Sequence, residues 1–250
     1  MLDLELVVVD ESNFDDIPDP AQPGARCQTC DYWERLDGGR EAPDPDAGDG
    51  AQRSALKRGR LLAGRTVSGS YAMLAYRTDA VARQAIGYAQ FGPLSAYPRA
   101  QTIRDRYPEL PESPLPWVIT CLQIVAAVPD RDEAGVELLS GVCDELDRRG
   151  ITAVEAYPEG HADGWLPSPG PPAVYEAAGF ERAAGDDRFP VYRRELTGET
   201  DADAWSGLLR AATPDEGDDW PLPLPPKRDP DNLFRLPPEG PKRPNPFGDD

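Results

Sequence analysis

Histidine occurs once in these 250 residues, at His161, and cysteine only four times. One imidazole and a single Cys-x-x-Cys pair, Cys27 and Cys30, with Cys121 and Cys143 apart from it, do not fill a zinc site built from paired knuckles. Four cysteines also make no disulfide scaffold in a chain of this length. Positive charge is scarce: 26 Lys+Arg stand against 45 Asp+Glu, a formal net charge of −19. Such a surface repels nucleic acid and anionic membrane. No apolar run approaches the ~20 residues of a membrane-spanning helix. The start, Met1-Leu2-Asp3-Leu4-Glu5, lacks the basic region of a secretory signal. A reducing, cytoplasmic setting is the expectation. Apolar residues make up only 39% of the chain, below the ~45–50% of compact domains, although that norm counts glycine and not tyrosine.

Proline and glycine are plentiful instead, at 29 and 23 residues, and they are unevenly placed. Residues 37–50 form an acidic stretch without apolar periodicity, read as a loop. Residues 92–116 carry Pro93, Pro98, Pro108, Pro111, Pro114 and Pro116 and are read as a long functional loop. From residue 197 onward the chain is rich in proline and poor in apolar residues. It is expected to be a disordered tail, with a short cluster at Trp205, Leu208 and Leu209 that suits partner docking.

Between these stretches lie periodic segments. Alternation predicts strands over 2–9, 69–77, 83–91 and 151–157, with a last strand over 189–196. Residues 117–128, Trp117 to Val128, are the most apolar and predict a central strand. Val136, Leu139, Val142, Cys143 and Leu146 mark one face of a helix over 134–149, stopped by Gly150. Short helices are predicted over 52–62 and 172–179. A strand–helix–strand unit over 117–157 implies parallel pairing through a right-handed crossover.

Three stretches carry a family resemblance: the central strand and helix from Thr120 to Gly150, the segment Tyr175-Glu176-Ala177-Ala178-Gly179-Phe180, and the strand Ile86-Gly87-Tyr88-Ala89. In this order they resemble the GNAT superfamily of acyl-CoA N-acyltransferases, whose Y-E-x-x-G-F segment the second stretch matches. The opening Cys27-Gln28-Thr29-Cys30-Asp31-Tyr32-Trp33-Glu34 is similar to that of some bacterial members. The resemblance covers roughly residues 2–196. It implies an α/β (α+β) domain over 1–196, with a mixed, mostly antiparallel twisted sheet of six to seven strands flanked by helices. It also implies acetyl-CoA as cosubstrate and an amine as acceptor.

The same resemblance implies site residues. The family binds the coenzyme pyrophosphate on an R/Q-x-x-G-x-G/A loop at a helix N-terminus. Here that loop reads Pro129-Asp130-Arg131-Asp132-Glu133-Ala134-Gly135. Only Arg131, Ala134 and Gly135 fit it, joined by Ile124 and Val125 at the end of the central strand. Asp130 and Glu133 have the spacing of a helix capping box, so a structural reading of the loop stands beside the cofactor reading. Tyr175 matches the family's general acid, whose phenol protonates the departing thiolate. Glu155 is the candidate base, with Glu159 beside it. His161 and Trp165 are candidates for a substrate wall. Cys27 and Cys30 are expected to pack with Trp33. The acidic composition favours a cationic amine, such as a polyamine or a lysine side chain. Two other readings compete: a domain that has lost its cofactor loop and serves as a binding module, and an adaptor that docks partners through the tail.

Overall fold

The computed structural model describes residues 3–19, 26–36, 50–78, 83–159 and 170–198. The elements run β1 (Leu4–Val8), a 3-10 turn (Phe14–Asp16), α1 (Gly50–Leu61), β2 (Ala72–Arg77), β3 (Gln84–Pro93), a second 3-10 turn (Leu94–Ala96), α2 (Pro98–Arg104), β4 (Trp117–Ile124), α3 (Arg131–Arg148), β5 (Ala153–Ala156), α4 (Pro172–Ala177), β6 (Glu181–Gly185) and β7 (Pro190–Glu195). The strands form one sheet in the order β1-β2-β3-β4-β5-β7-β6. Every neighbouring pair is antiparallel except β4 and β5. The mixed, mostly antiparallel sheet and the central position of β4 are as the sequence predicts.

Strand alternation divides the core into two layers. On one face Met73, Ala75, Phe91, Ile119, Leu122, Ile124 and Val154 meet α3 and α4. On the other, Leu74, Tyr76, Tyr88 and Val118 meet Leu61 of α1, Ala100 of α2 and the N-terminal Phe14, Cys27 and Trp33. Leu138, Leu139, Val142, Cys143 and Leu146 of α3 are buried, a run set by the 3.6-residue period. Val136, expected with them, is half-buried at the edge of that face. Gly87 lets the helix approach: a Cβ there would lie 2.9 Å from Ile124 Cδ1 and 3.1 Å from Leu138 Cδ2.

Three differences from the sequence expectations have plain causes. Residues 92–116 are not loop throughout, because α2 starts on Pro98 at its first turn, where a missing N–H costs nothing. β6 was not anticipated; its sequence ERAAG has no apolar alternation and it forms the sheet edge. Gly50, placed at the end of the acidic loop, opens α1. Most of that loop, His161, Trp165 and the tail from 199 onward lie outside the described residues.

Candidate functional site

The central strand changes character at Thr120. β4 pairs with β3 from Trp117↔Pro93 to Ile124↔Gly87, but with β5 only from Trp117↔Val154 to Ile119↔Ala156. Pro158 follows Tyr157 beyond β5, and proline cannot continue a ladder. Residues 120–124 therefore keep β3 on one side and have no strand registered on the other. This break in pairing, a wedge between β4 and β5, lies at the C-terminal ends of the two parallel strands. The register slips at the same point. Gln90 faces Cys121 while Phe91 faces Ile119, so Thr120 is an extra residue in β4. Such bulges bend a strand and re-aim its groups, and they gather beside active sites. Thr120 is buried, and its hydroxyl donates to the Gln90 carbonyl at 3.3 Å.

The five residues assigned to cofactor binding meet where β4 ends and α3 begins. Ile124 is buried at the last position of β4. The Val125 N–H donates to the Ile86 carbonyl at 2.8 Å. Arg131, first in α3, donates through Nη2 to the Ile124 carbonyl at 3.3 Å, and burial lowers its pKa. Ala134 and Gly135 are buried in the first turns. Asp130 makes no side-chain capping bond, so the capping-box geometry does not form from its side. Asp132 and Glu133 are exposed to solvent. Near Val125 a cavity of about 410 Å³ is lined in part by Asp15, Asp16, Asp19 and Arg83.

Tyr175 is fully buried on α4. Its ring meets Phe180 edge-on at 5.3 Å and stacks on Tyr192 at 6.0 Å. The Y-E-x-x-G-F segment is thus also a local packing unit. Gly179 takes φ +80 and ends α4, and the Phe180 N–H returns to the Tyr175 carbonyl at 3.0 Å. Burial, with the thiols of Cys121 and Cys143 in range, holds the phenol protonated well above its ordinary pKa.

Glu155 is fully buried, with both carboxylate oxygens engaged. Oε1 accepts from Arg193 Nη1 at 2.7 Å. Oε2 accepts from Arg104 Nε at 3.0 Å and from the Tyr157 hydroxyl at 2.7 Å. Arg104 also donates to the Pro111 carbonyl and Arg193 to that of Pro114. The network ties β5 and β7 to α2 and to the proline-rich segment after it. Glu159 is exposed.

A second buried polar cluster lies on the α1 side of the sheet, and the sequence reading did not identify it. Lys57 Nζ donates to Glu34 Oε1 at 2.8 Å and to Gln90 Oε1 at 2.6 Å. Gln90 Nε2 donates to Glu34 Oε1 at 3.0 Å, and the Tyr88 hydroxyl to Gln90 Oε1 at 3.3 Å. Burial alone would lower the Lys57 pKa, but Glu34 and nearby thiols raise it above its ordinary value. Lys57 is therefore charged at neutral pH. Gln123 is also buried, opposite Tyr88 in the ladder. The available signal was Gln90 and Gln123 inside apolar strand sequences, since a polar residue in such a run is the informative one. Cys27 is buried in the same layer as Trp33, and burial pushes its thiol up to about 12.

No protein-family model matches the sequence, and no curated protein matches it. Solved structures similar to this chain include the C-terminal condensation domain of Ebony in complex with beta-alanyl-dopamine, at 12% identity over 78% of this chain and 100% of that one, TM-score 0.48. The NatC complex bound to Gag peptide and CoA is similar at 12% identity over 78% and 98%, TM-score 0.43. An N-acetyltransferase from Staphylococcus aureus Mu50 is similar at 10% identity over 78% and 99%, TM-score 0.44.

Proposed function

We propose that this chain is a GNAT-type N-acyltransferase that moves an acetyl group from acetyl-CoA to an amine. The observation that carries the reading is the coincidence, at Thr120, of a bulge in β4 with the end of its pairing to β5. Acyl transfer needs backbone donors for a developing oxyanion and close alignment of two reactants. A bulged strand beside a wedge offers both. The start of α3 suits a pyrophosphate: it is the N-terminus of an eighteen-residue helix, with buried Ala134 and Gly135 and with Arg131 at its first position. Asp132 and Glu133 lie in that first turn but are exposed, which lessens their repulsion of an anion. The thioester, once bound, supplies an activated acetyl group. Tyr175 serves as the proton donor to the leaving thiolate, and its raised pKa keeps that proton in place at neutral pH. Glu155, held by two guanidinium groups, braces the site instead of acting as its base. The net charge of −19 and the three aspartates of the cavity near Val125 favour a cationic acceptor by steering.

Calorimetry and thermal denaturation with acetyl-CoA test this reading. Saturation at ~100 times Kd stabilises a protein by about 2.7 kcal/mol, which for a domain of this size is a rise of several degrees. Neither heat nor a shift at millimolar acetyl-CoA would overturn it. The two acidic residues in the first turn of α3 favour a second reading, a binding module without cofactor. That reading predicts that the same null result accompanies retained amine binding.

A further inference from the structure

The cluster of Glu34, Lys57, Gln90 and Gln123 is short of donors. The Glu34 side chain is only 6% exposed. Its Oε1 takes both hydrogen bonds, from Lys57 and Gln90, while its Oε2 is buried with no partner. Gln123 is 3% exposed, and its Oε1 is likewise buried with no partner. A buried acceptor left unpaired is costly, by ~1–3 kcal/mol and more for a charged group, so two in one layer call for an occupant.

The register puts them on one face of the sheet. Gln90 holds Glu34 and faces Cys121; two pairs along the same ladder, Tyr88 faces Gln123. Side chains opposite and two apart share a face of a sheet. Both orphan oxygens thus belong to the α1 face of the β3–β4 pair and flank the stretch of β4 that begins at the Thr120 bulge. The chemistry of the missing partner follows from the atoms. Two acceptors require two or more N–H or O–H donors on one small group. One acceptor is a carboxylate oxygen, and the two bonds of Lys57 go to Glu34 Oε1 and Gln90 Oε1 and not to Oε2, so a positive charge is favoured over a neutral donor. A primary ammonium has three donors and that charge.

We propose that Glu34 Oε2 and Gln123 Oε1 form the subsite that receives the ammonium group of the acceptor. The inference rests on the acyltransferase reading for the word acceptor, while the binding itself needs no acetyl-CoA. Glu34 and Gln123 are then binding residues that position the amine beside the bulge of β4, a role that neither Glu155 nor Tyr175 fills.

The experiment is calorimetric titration of the full chain with n-butylammonium chloride, without acetyl-CoA, using n-butanol as the neutral control. Saturable heat with the ammonium and none with the alcohol is expected. Gln123→Met removes an acceptor at nearly constant volume and leaves the Lys57–Glu34 pair intact, so it tests the subsite even where Glu34→Gln fails to fold. At least a tenfold weaker ammonium affinity is expected in each folded variant, with acetyl-CoA affinity unchanged. Equal ammonium affinity in wild type and Gln123→Met overturns the proposal, as does equal heat from the alcohol. Filling of both oxygens by water alone, seen in a high-resolution crystal structure soaked in n-butylammonium, also overturns it. The two readings fail separately: loss of acetyl-CoA binding with ammonium binding intact sinks transfer but keeps the subsite, and the converse sinks the subsite alone.

Discussion

Tyr175→Phe keeps the ring between Phe180 and Tyr192 and removes only the hydroxyl. If the phenol protonates the leaving thiolate, kcat falls by the ~10²–10⁴-fold typical of general acid catalysis, and acetyl-CoA affinity by calorimetry is unchanged. Unaltered kcat would remove Tyr175 from the chemistry and leave it as packing. Glu155→Gln acts differently. It leaves Arg104 and Arg193, at 13% and 6% side-chain exposure, facing a neutral amide. Breaking a buried pair by removing one partner costs ~3–5 kcal/mol, so urea unfolding should show a loss of that order; a loss under ~1 kcal/mol would mean that the guanidinium groups find other acceptors. At this scale the sequence was legible where a residue's role is set by its near neighbours. Tyr175, Gly179 and Phe180 form one local turn, and the motif announced it. Glu34 depends on Lys57, twenty-three residues away, and on Gln90, fifty-six away. No spacing rule connects such residues before the sheet brings them together. Glu155 is the base candidate of the sequence, but its two arginine partners come from α2 and β7, and no local pattern announces them.

α3 is the element on which the wedge depends, because its buried face carries β1 to β4 and its first turn meets the end of β4. Leu139→Ala opens a cavity at a fully buried position. Equilibrium unfolding should show a loss of ~2–5 kcal/mol, and a loss below 1 kcal/mol would mean that the neighbouring side chains collapse into the space. Elements with strong periodicity were readable: β2, β4, β5, β7 and α4 fall within the predicted segments, while β3 runs two residues past its predicted end and α3 starts three residues before its predicted beginning. The offset at the end of β4 has a cause. Apolar residues 125–128 continue the pattern of β4, yet the backbone turns away after Ile124, where the Val128 N–H bonds back to the Val125 carbonyl at 3.1 Å. α2 escaped notice because prolines on both sides read as loop, while Pro98 sits at the one helical position that tolerates it. β6 escaped because an edge strand has one neighbour and little need of apolar side chains. The bulge at Thr120 was not legible at all, since it is a relation between two strands and not a property of either.

The whole molecule holds several thiols and phenols in its two core layers, and this sets its response to alkali. Burial pushes both Cys27 and Cys143 up to about 12. In the unfolded chain such thiols ionise near 8.5–9. Between pH 9 and 12 the unfolded state therefore binds fewer protons than the folded one, and stability falls as pH rises, by ~1.4 kcal/mol per pH unit for each thiol. Below pH 8.5 this contribution is fully present. Buried Tyr88 and Tyr97, also raised well above their ordinary values, add to the decline beyond pH 10. Urea midpoints at pH 8, 9.5 and 10.5 should descend in that order; a flat series would mean that the thiols are accessible in the folded state. The remaining whole-molecule question is where the folded domain ends. The Leu196 N–H donates to the Thr152 carbonyl at 2.9 Å. Beyond it, the Thr197 hydroxyl and the Gly198 N–H bind the Asp147 carboxylate at 2.9 and 2.8 Å. A cut after Leu196 would strip these anchors from the end of α3, so the informative truncation falls after Gly198. Residues 199–250 are dense in proline, which lacks a backbone donor, and their large apolar side chains, from Trp205, Leu208 and Leu209 to Trp220, Leu233, Phe234 and Phe247, are spread among prolines and charges. Such a composition does not offset the entropy of ordering. The 1–198 chain is expected to melt within about 2 °C of the full chain, a difference of ~1 kcal/mol or less. A larger loss would mean that the segment packs against the domain, and the boundary of the folded unit would then move beyond Gly198.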